Sequence, residues 1–344
     1  MPICRLSLAL ERLNSANRRQ FASRPVAIGT ILLVAALCLI ARVSAQDYPS
    51  RVIKMICGFP AGGNVDAIAR VMANEMAIGL GQPVVVETRP GMVGSLAAEL
   101  VSRAPPDGYT LMTLPSAHAV TGALYKNLKY KPVEDFAWIS TVSFYPFVVS
   151  VRADSRFKTL SELIVAARAE PGRISYGSSG AAAIQHMIAE LLAGSAGVKF
   201  QHIPYRGEAL ALTGLLTGDV DFIVSTITVA APQIESGKLR ALGVSSRTRW
   251  RDLPDVPTID EAGVKEFDVN SWTGIATVAA TPAPILARLH AEVQRVIALP
   301  EVKKRLADFG GEARGTSPDE MRKLVQDQLD LWARVARDAN IAVQ

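Results

Sequence analysis

Apolar runs of strand length alternate with helical patterns along most of the chain. The first run is RVIKMICG, and in the segment after it Val65, Ile68, Met72 and Met76 recur at the spacing of one helix face. PVVVE and GYTLMTL follow as further strand patterns, with the helical segment GSLAAELVSRA between them. Strands that alternate with helices in this way predict βαβ units, in which helices cover both faces of a mostly parallel sheet.

The strand–helix pattern indicates two α/β domains. A second series begins near FVVSV, and the segments FYPFVVSVRADS and WTGIATVAATP resemble each other as apolar strands that run into a turn and a helix. We interpret these two segments as the crossings between the domains. Domain 1 is therefore predicted over residues 46–146 and 270–344, and domain 2 over residues 147–269.

Two helices carry clear start signals. Thr159 and Glu162 have the spacing of a capping box, which predicts a helix from there through Arg168. Pro318 follows a serine and occupies a predicted first helical position. The apolar stripe of this closing helix, which includes Trp332, is predicted to pack onto the first domain.

Residues 1–45 have the layout of a secretory signal peptide. A basic opening precedes the apolar run AIGTILLVAALCLIA, and small residues before a predicted cleavage site near Ala45 complete the pattern. The run is shorter than the roughly 20 residues that a membrane-spanning helix needs. Arg18 and Arg19 also fit a twin-arginine export signal, and an ordinary basic leader explains them equally well. Cys38 lacks the preceding small residues that a lipoprotein signal requires.

Removing this segment makes the chain electrically neutral. Six of the 37 basic residues and one of the 32 acidic residues lie within residues 1–45, which leaves 31 of each. The pI of about 9.1 therefore belongs mostly to the leader. Neutrality disfavours a nucleic-acid binder or a polybasic membrane binder. Cys57 is the one cysteine left after the leader, so stability must come from a hydrophobic core in which Cys57 is expected to lie.

The turn FPAGGNVD between the first strand and the first helix is a candidate anion site. The first turn of a helix has unpaired N–H groups and a partial positive charge, and Gly62 and Gly63 let the backbone approach a ligand closely. Asn64 is a candidate N-cap, and Asp66 complements the helix dipole, which also explains both residues without a ligand. Binding and a plain strand–helix turn remain equally good interpretations of this segment alone.

A second turn of the same kind supports the interpretation of the first as a binding site. Ser178, Ser179 and Gly180 lie between a predicted strand and a predicted helix, in the second domain. N-capping of the helix by Ser178 or Ser179 is the simpler interpretation of this turn taken alone. Two such turns facing one interdomain cleft would hold the two ends of one ligand.

Three further strand ends contribute candidate residues. Ser116 and His118 follow the third strand, Tyr205 and Arg206 follow a later one, and Thr226 ends VDFIVST. Arg206 offers a guanidinium that can pair with a carboxylate. A histidine bonded within its own loop and an ordinary surface ion pair are the alternatives.

Motifs for other functions are missing from the sequence. It contains neither G-x-x-x-x-G-K-[ST] nor G-x-G-x-x-G, which disfavours nucleotide binding. The four histidines do not have metal-ligand spacing, and GSSG is not the G-x-S-x-G nucleophile elbow. We interpret His186 and Glu190 as a surface pair on one helix. We therefore expect no enzyme, no metal and no cofactor.

Several segments in order resemble the Bug family, the periplasmic solute receptors of tripartite tricarboxylate transporters. They are GFPAGGNVDAIAR, ETRPGMVGSLAAELVSRAPPDGYTLM, YKPVEDFAWIS, ISYGSSG, HIPYRGEALALTGLLTGDVDF and GKLRALGVSSRTRWRDLPDVPTIDEAG. The resemblance extends from about Tyr48 to the end of the chain. It implies a two-domain type II periplasmic-binding-protein fold that closes over a small carboxylate.

The resemblance also implies the ligand-binding residues. In this family the loop after the first strand holds a carboxylate through backbone N–H groups and waters, and a loop of the second domain serves from the other side. The segments that match those bordering the ligand contribute the following residues: Phe59, Ala61, Gly62, Gly63, Asn64, Asp66, Ser116, His118, Ser178, Ser179, Gly180, Tyr205, Arg206 and Thr226.

Three departures from the family pattern leave the ligand open. Asn64 and Val65 stand near a position where a small hydroxyl residue is commoner, Met92 and Val93 replace small residues, and three alanines follow Gly180. The candidate ligand classes are therefore dicarboxylates, tricarboxylates, amino acids and aromatic acids.

The sequence thus predicts a monomeric periplasmic receptor that delivers its ligand to membrane transporter subunits. A receptor that contacts a membrane sensor is an alternative from another class. A periplasmic hydrolase is another, with Ser116 and His118 as its loose candidate pair.

Overall fold

The computed structural model describes residues 48–181 and 183–341. The predicted signal peptide, with its twin-arginine pair and its cleavage site near Ala45, lies outside the described residues. No helix within the described ranges combines the length and the apolar character that crossing a bilayer requires.

The described residues form strands and helices in alternation, which confirms the predicted α/β class. The strands are β1 (Ile53–Cys57), β2 (Val84–Thr88), β3 (Thr110–Pro115), β4 (Phe136–Arg152), β5 (Ser175–Ser178), β6 (Gln201–Pro204), β7 (Phe222–Thr226), β8 (Leu239–Val244), β9 (Asn270–Val278) and β10 (Glu312–Ala313). The helices are α1 (Asn64–Leu80), α2 (Ser95–Ser102), α3 (Ala117–Leu124), α4 (Leu160–Ala169), α5 (Ile184–Ala196), α6 (Glu208–Thr217), α7 (Ile227–Glu235), α8 (Ala283–Ala298), α9 (Pro300–Asp308) and α10 (Pro318–Asp338). A short 3₁₀ turn covers Met92–Gly94.

The sheet contains two groups of parallel strands. The order along it is β2-β1-β3-β9-β4-β7-β5-β6, and β8 and β10 also pair with β4. Strand β1 is parallel to β2 and β3, and β5 is parallel to β6 and β7. Antiparallel strands β4 and β9 lie between the two groups. The parallel groups agree with the βαβ units predicted from the sequence.

Strand β4 is long because almost every one of its side chains is buried. Its residues from Phe136 to Pro146 pair with β9, and those from Phe147 to Arg152 pair with β7 or β8. Strand β9 runs antiparallel beside its first half. These two strands contain the segments interpreted as crossings, and the domain boundaries placed there remain a prediction.

Helix α10 differs from its prediction. Met321 and Val325 pack with Ile56, Met112 and Trp272, as expected for a helix on the first domain. Trp332 and Val335, however, belong to a core cluster with residues of β5 and β7. The helix has 21 residues, so it is long enough for its two ends to cover different parts of the core. The same cluster contains Ala119, Val120 and Leu124 of α3, so the stripe packs on the predicted first domain and also extends beyond it.

The predicted start signals of two helices are confirmed. The Thr159 hydroxyl accepts from the backbone N–H of Glu162 at 3.2 Å, and α4 begins one residue later. Ser317 and Glu320 form a reciprocal capping box ahead of α10, with Pro318 at its first position. Cys57 is fully buried, as predicted.

Candidate functional site

A cavity of about 410 Å³ lies where the carboxyl ends of four strands converge, two from each parallel group. Its walls include Phe59 after β1, Ser116 after β3, Ser179 after β5 and Thr226 at the end of β7. Ligands of open α/β sheets collect beyond the carboxyl ends of strands, and the volume suits a small molecule. The cavity is therefore the candidate binding site.

The antiparallel strands supply the rest of the wall. Tyr145 and Phe147 of β4 and Ser271 of β9 line the cavity. Ser271 and Ser116 are both buried, and their hydroxyl oxygens lie 2.8 Å apart. Burial raises the pKa of Tyr145, and hydrogen bonds with Ser271 and Thr273 oppose that rise only in part. Tyr145 is thus a neutral hydrogen-bonding group beside the two serines.

The structure brings five of the predicted residues together at this cavity. They are Phe59, Ser116, Ser179, Gly180 and Thr226. The other nine predicted residues are not part of its described walls. They are Ala61, Gly62, Gly63, Asn64, Asp66, His118, Ser178, Tyr205 and Arg206.

The first glycine turn leads into helix α1. The carboxylate of Asp66, in the first turn of that helix, already accepts one of the backbone N–H groups of the glycine turn. The backbone N–H of Gly62 donates to Asp66 Oδ2 at 2.9 Å, and Arg70 donates to the same oxygen. Burial alone would raise the pKa of Asp66, but these two donors together hold it below its ordinary value. Gly63, and not Asn64, is the N-cap, and its conformation is extended. The expected Asn64 cap was wrong because the helix begins at Asn64 itself.

The second turn is fixed by one serine. Ser178 Oγ donates to the carbonyl of Gly180 at 2.9 Å, accepts from the Gly180 N–H at 3.2 Å, and lies 2.7 Å from His202 Nε2. Since the serine proton goes to the Gly180 carbonyl, the imidazole serves as the donor in the third bond. Ala183 precedes α5, so neither serine caps that helix and that simpler interpretation was wrong. Ser178 instead shapes the Gly180 turn that lines the cavity.

His118 lies in an aromatic cluster and is not part of the described cavity wall. Its Nε2 lies 2.8 Å from the carbonyl oxygen of Pro132, and the rings of Tyr130, Phe136 and Trp138 surround it. Burial lowers the pKa of His118 to about 4, against the smaller opposite effect of the Pro132 carbonyl. The side chain is neutral and hydrogen-bonded within its own region.

Tyr205 and Gly207 support the second turn from outside the cavity. The Tyr205 N–H donates to the Ser178 carbonyl at 3.0 Å, and the Gly207 N–H donates to the Ser179 carbonyl at 3.2 Å. Arg206 between them is exposed. This segment therefore reaches the site through its backbone.

Besides Ser271, the polar cavity residues Gln185 and Glu208 were not predicted from the sequence. Gln185 of α5 accepts from Ser179 Oγ at 2.8 Å. Glu208 begins α6, and its Oε1 accepts from the backbone N–H of Thr226 at 2.6 Å and from the Thr226 hydroxyl at 3.1 Å. A usable signal existed for Glu208, because it directly follows the strand-end segment from Tyr205 to Gly207.

The aromatic walls were missed as well. Tyr125, Tyr145 and Phe147 contribute to the cavity together with Phe59. Tyr145 and Phe147 lie in the segment interpreted as a domain crossing, which is where an interdomain cleft would be lined. That position was the signal that could have identified them.

His186 and Glu190 do not form the predicted surface pair. His186 is buried, and its ring stacks on that of His202 with centroids 3.8 Å apart. Glu190 accepts from Tyr176 Oη at 2.6 Å and lies 3.9 Å from His186. His186 and Glu190 face the core because the side of α5 that contains them packs against β5. No group of three or more metal-ligating side chains occurs in the described parts of the chain.

A larger groove of about 860 Å³ runs between α5 and the end of α10. Glu190, Lys199, Arg334 and Asp338 line it, so charges of both signs face it. It lies away from the strand ends. The smaller cavity is the better candidate because polar groups from four strand ends converge there.

The sequence matches the family described as "Tripartite tricarboxylate transporter family receptor" over residues 68–341. It is 37% identical over 289 residues to the "UPF0065 protein in tcbD-tcbE intergenic region" of Pseudomonas sp. (strain P51), which covers 84% of this chain and 86% of that protein. The chain belongs to this receptor family. The resemblance to the Bug family predicted from the sequence is thereby confirmed.

Solved structures of similar proteins have the same fold. The periplasmic binding protein BugD is 33% identical with a TM-score of 0.72, and the match covers 86% of this chain and 100% of that one. R. palustris Rpa4515 with adipate is 31% identical with a TM-score of 0.74, covering 86% and 99%. MatC from Rhodopseudomonas palustris with bound malate is 32% identical with a TM-score of 0.70, covering 84% and 99%. The predicted type II periplasmic-binding-protein fold is confirmed.

Proposed function

We propose that this protein binds a small carboxylate in the 410 Å³ cavity and delivers it to a tripartite tricarboxylate-type membrane transporter. The observation that carries this proposal is the convergence of hydroxyl groups from Ser116, Ser179, Thr226 and Ser271 on one cavity. Relatives with adipate and with malate support a carboxylate as the ligand.

Hydrogen bonds, and not a cluster of basic residues, hold the ligand in this proposal. The described residues of the cavity wall do not include lysine, arginine or histidine. One carboxylate end contacts the paired hydroxyls of Ser116 and Ser271 and the loop from Phe59 to Asp66. The loop of Ser178, Ser179 and Gly180 serves from the other side, with Thr226 next to it.

The receptor closes on its ligand by a hinge between two lobes. Their proposed extents are residues 46–146 with 270–344, and residues 147–269. The pairing of β4 supports this division, because its partner changes from β9 to β7 between Pro146 and Phe147. The cavity has walls from both proposed lobes, so closure would bury the ligand.

Export through a signal peptide removed near Ala45 places the mature receptor in the periplasm, as a monomer without a cofactor. The family consists of receptors, and we propose no catalytic step. Ser116 and His118, the pair considered for a hydrolase, have other partners in Ser271 and Pro132. Ser178 and His202 form the closer serine–histidine pair, but Ser178 is only 1% exposed.

A thermal-shift screen of the mature chain tests the proposal. A ligand that binds only the folded protein raises its melting temperature by mass action, by several degrees at about 100 times its Kd. The panel contains dicarboxylates, tricarboxylates, amino acids and aromatic acids. Stabilisation by none of them, in protein shown to be folded, would overturn the proposal.

Two further measurements separate the alternatives. Mass analysis of the recovered ligand after prolonged incubation distinguishes a receptor from a hydrolase, because a receptor returns the ligand unchanged. Pull-down from membranes with and without ligand distinguishes delivery to transporter subunits from contact with a sensor.

A further inference from the structure

Glu208 is the one acidic or basic side chain among the described residues that line the cavity. It is the first residue of α6, and its carboxylate reaches the end of β7. Oε1 accepts two hydrogen bonds from Thr226, and the side chain of Gln185 is a further partner. The cavity wall therefore contains a carboxylate that neutral donors hold in place.

No cation pairs with this carboxylate within the described parts of the chain. The ion pairs formed there by lysine, arginine and histidine do not include Glu208. Burial raises the pKa of Glu208, and the Thr226 and Gln185 hydrogen bonds oppose that effect. Glu208 is partly removed from water and has no cationic partner among the described residues, so a cation that reached it would be bound favourably.

Two helix N-termini act against the effect of burial on Glu208. Glu208 is the first residue of α6, and the backbone N–H of Thr226, the N-cap of α7, donates to its carboxylate. The positive ends of two helix dipoles therefore lie next to the carboxylate. Tyr145 is the titratable group that faces Glu208 from β4. Gln185 of α5 and Thr226 of β7 complete its contacts and are not ionisable.

A ligand with carboxylates at both ends conflicts with this arrangement. A negative group placed within the cavity near Glu208 would be repelled, and no basic side chain of the described wall offsets the repulsion. A ligand that combines a carboxylate with a protonated nitrogen removes the conflict. Its carboxylate would contact the Ser116 and Ser271 hydroxyls, and its nitrogen would donate to Glu208.

We propose that Glu208 binds a protonated nitrogen of the ligand, so that this receptor selects carboxylates bearing an ammonium group, the amino acid class, over plain dicarboxylates. This inference rests on the proposed carboxylate-receptor function and makes its ligand class specific. The selectivity comes from one side chain, because the rest of the described wall is uncharged.

Calorimetric titration of the mature receptor with matched ligands tests the inference. Glutarate is compared with glutamate and with 5-aminopentanoate, and succinate with aspartate and with 4-aminobutanoate. At least one amino ligand should bind tenfold or more tightly than its plain dicarboxylate at pH 7.5. This comparison uses the unaltered protein, so it does not depend on the folding of a variant.

Glu208→Gln keeps the size of the side chain and removes its charge. It should lower the affinity for the favoured amino ligand at least tenfold. The affinity for the plain dicarboxylate should stay the same or rise. Glu235→Gln is the matched control, because Glu235 is exposed at the end of α7 and is outside the described cavity wall. That control should bind every ligand as the parent does.

Three outcomes would overturn the inference. Tighter binding of plain dicarboxylates, with affinity rising as the pH falls, would show that a protonated Glu208 donates to a ligand carboxylate. Equal weakening of both ligand types by Glu208→Gln would assign the residue a structural role. In both cases the receptor function stands, whereas failure of every carboxylate to bind would remove that function together with the inference.

Discussion

Ser116 and Ser271 lie 155 residues apart in the sequence, and their hydroxyl oxygens are 2.8 Å apart at the cavity wall. The backbone supports the pair, since the Ser116 N–H donates to the carbonyl of Trp272 at 2.9 Å. Two hydroxyls carry two protons, and their mutual hydrogen bond uses one of them. The other proton can be donated to a ligand carboxylate in place of the contact between Ser271 and Tyr145.

Ser271→Ala should therefore weaken carboxylate binding. Loss of one hydrogen bond to a charged group lowers affinity by roughly tenfold, corresponding to about 1.5 kcal/mol. Isothermal titration with the best ligand from the thermal-shift screen measures this change.

Ser150→Ala is the matched control for that substitution. Ser150 is a fully buried strand serine on β4, and it is not part of the described cavity wall. The Ser150→Ala variant should bind the ligand with the affinity of the parent protein. Equal affinities for Ser271→Ala and the parent would contradict a role of the serine pair in binding.

The Ser178–His202 hydrogen bond predicts a graded effect on the second turn. His202→Leu removes the donor that fixes Ser178, so the Gly180 turn should loosen and ligand affinity should fall several-fold. His202→Gln retains an N–H donor and should restore most of the affinity. Titrating both variants and comparing their circular dichroism spectra separates this local effect from unfolding; identical affinities would contradict it.

The sequence predicted the strand and helix order because its periodicities are strong. Thr159, Pro318 and the glycine turns mark helix starts through local chemistry that does not depend on the rest of the fold. The predicted candidates Phe59, Ser116 and Thr226 reach the cavity because they follow or end strands whose carboxyl ends, in both parallel groups, border it.

Residues that reach the cavity through long-range packing could not be predicted in this way. Ser271 is placed by the pairing of β9 with β3 and β4, which connects distant segments. Conversely, His118 follows a strand end, but the turn of α3 directs its ring onto Pro132 and away from the cavity. Position along the strand was predictable, whereas the direction of each side chain depended on tertiary contacts.

The two glycines of the first turn should respond differently to substitution. Gly62 has a φ of +81°, which is unfavourable for other residues, whereas Gly63 has a φ of −76° that any residue adopts. Gly62→Ala should lower the free energy of unfolding by about 1 kcal/mol, and Gly63→Ala by clearly less. Urea unfolding of both variants measures the contrast; equal losses would contradict the assigned conformations.

Gly63→Val tests whether this turn contacts the ligand. A Cβ at Gly63 would lie 3.3 Å from the Pro60 carbonyl, a close contact that small shifts can accommodate. We expect the variant to fold and to lose binding, because the branched side chain would occupy the space in front of the turn. A melting curve checks that the variant folds, and titration checks that it has lost binding. If the variant binds as the parent does, the turn is not part of the binding site.

His118 should make the stability of the protein fall in mild acid. Burial lowers its pKa to about 4 in the folded protein, whereas an unfolded histidine titrates near 6.5. Between these values the unfolded chain binds the proton and the folded one does not. The stabilisation is therefore complete above pH 6.5 and is lost as the pH falls towards 4, by at most about 3 kcal/mol.

Urea unfolding of the parent and of His118→Gln between pH 4.5 and 7.5 measures this contribution. The variant should be less stable at pH 7.5, because it loses the packing against Tyr130 and Phe136, but its loss on acidification should be smaller. Burial also lowers the pKa values of His186 and His202 to about 4. Because of these two residues, the free energy of unfolding of the variant should still fall somewhat as the pH is lowered. Parallel curves for the two proteins over this range would show that His118 is not the buried neutral group described.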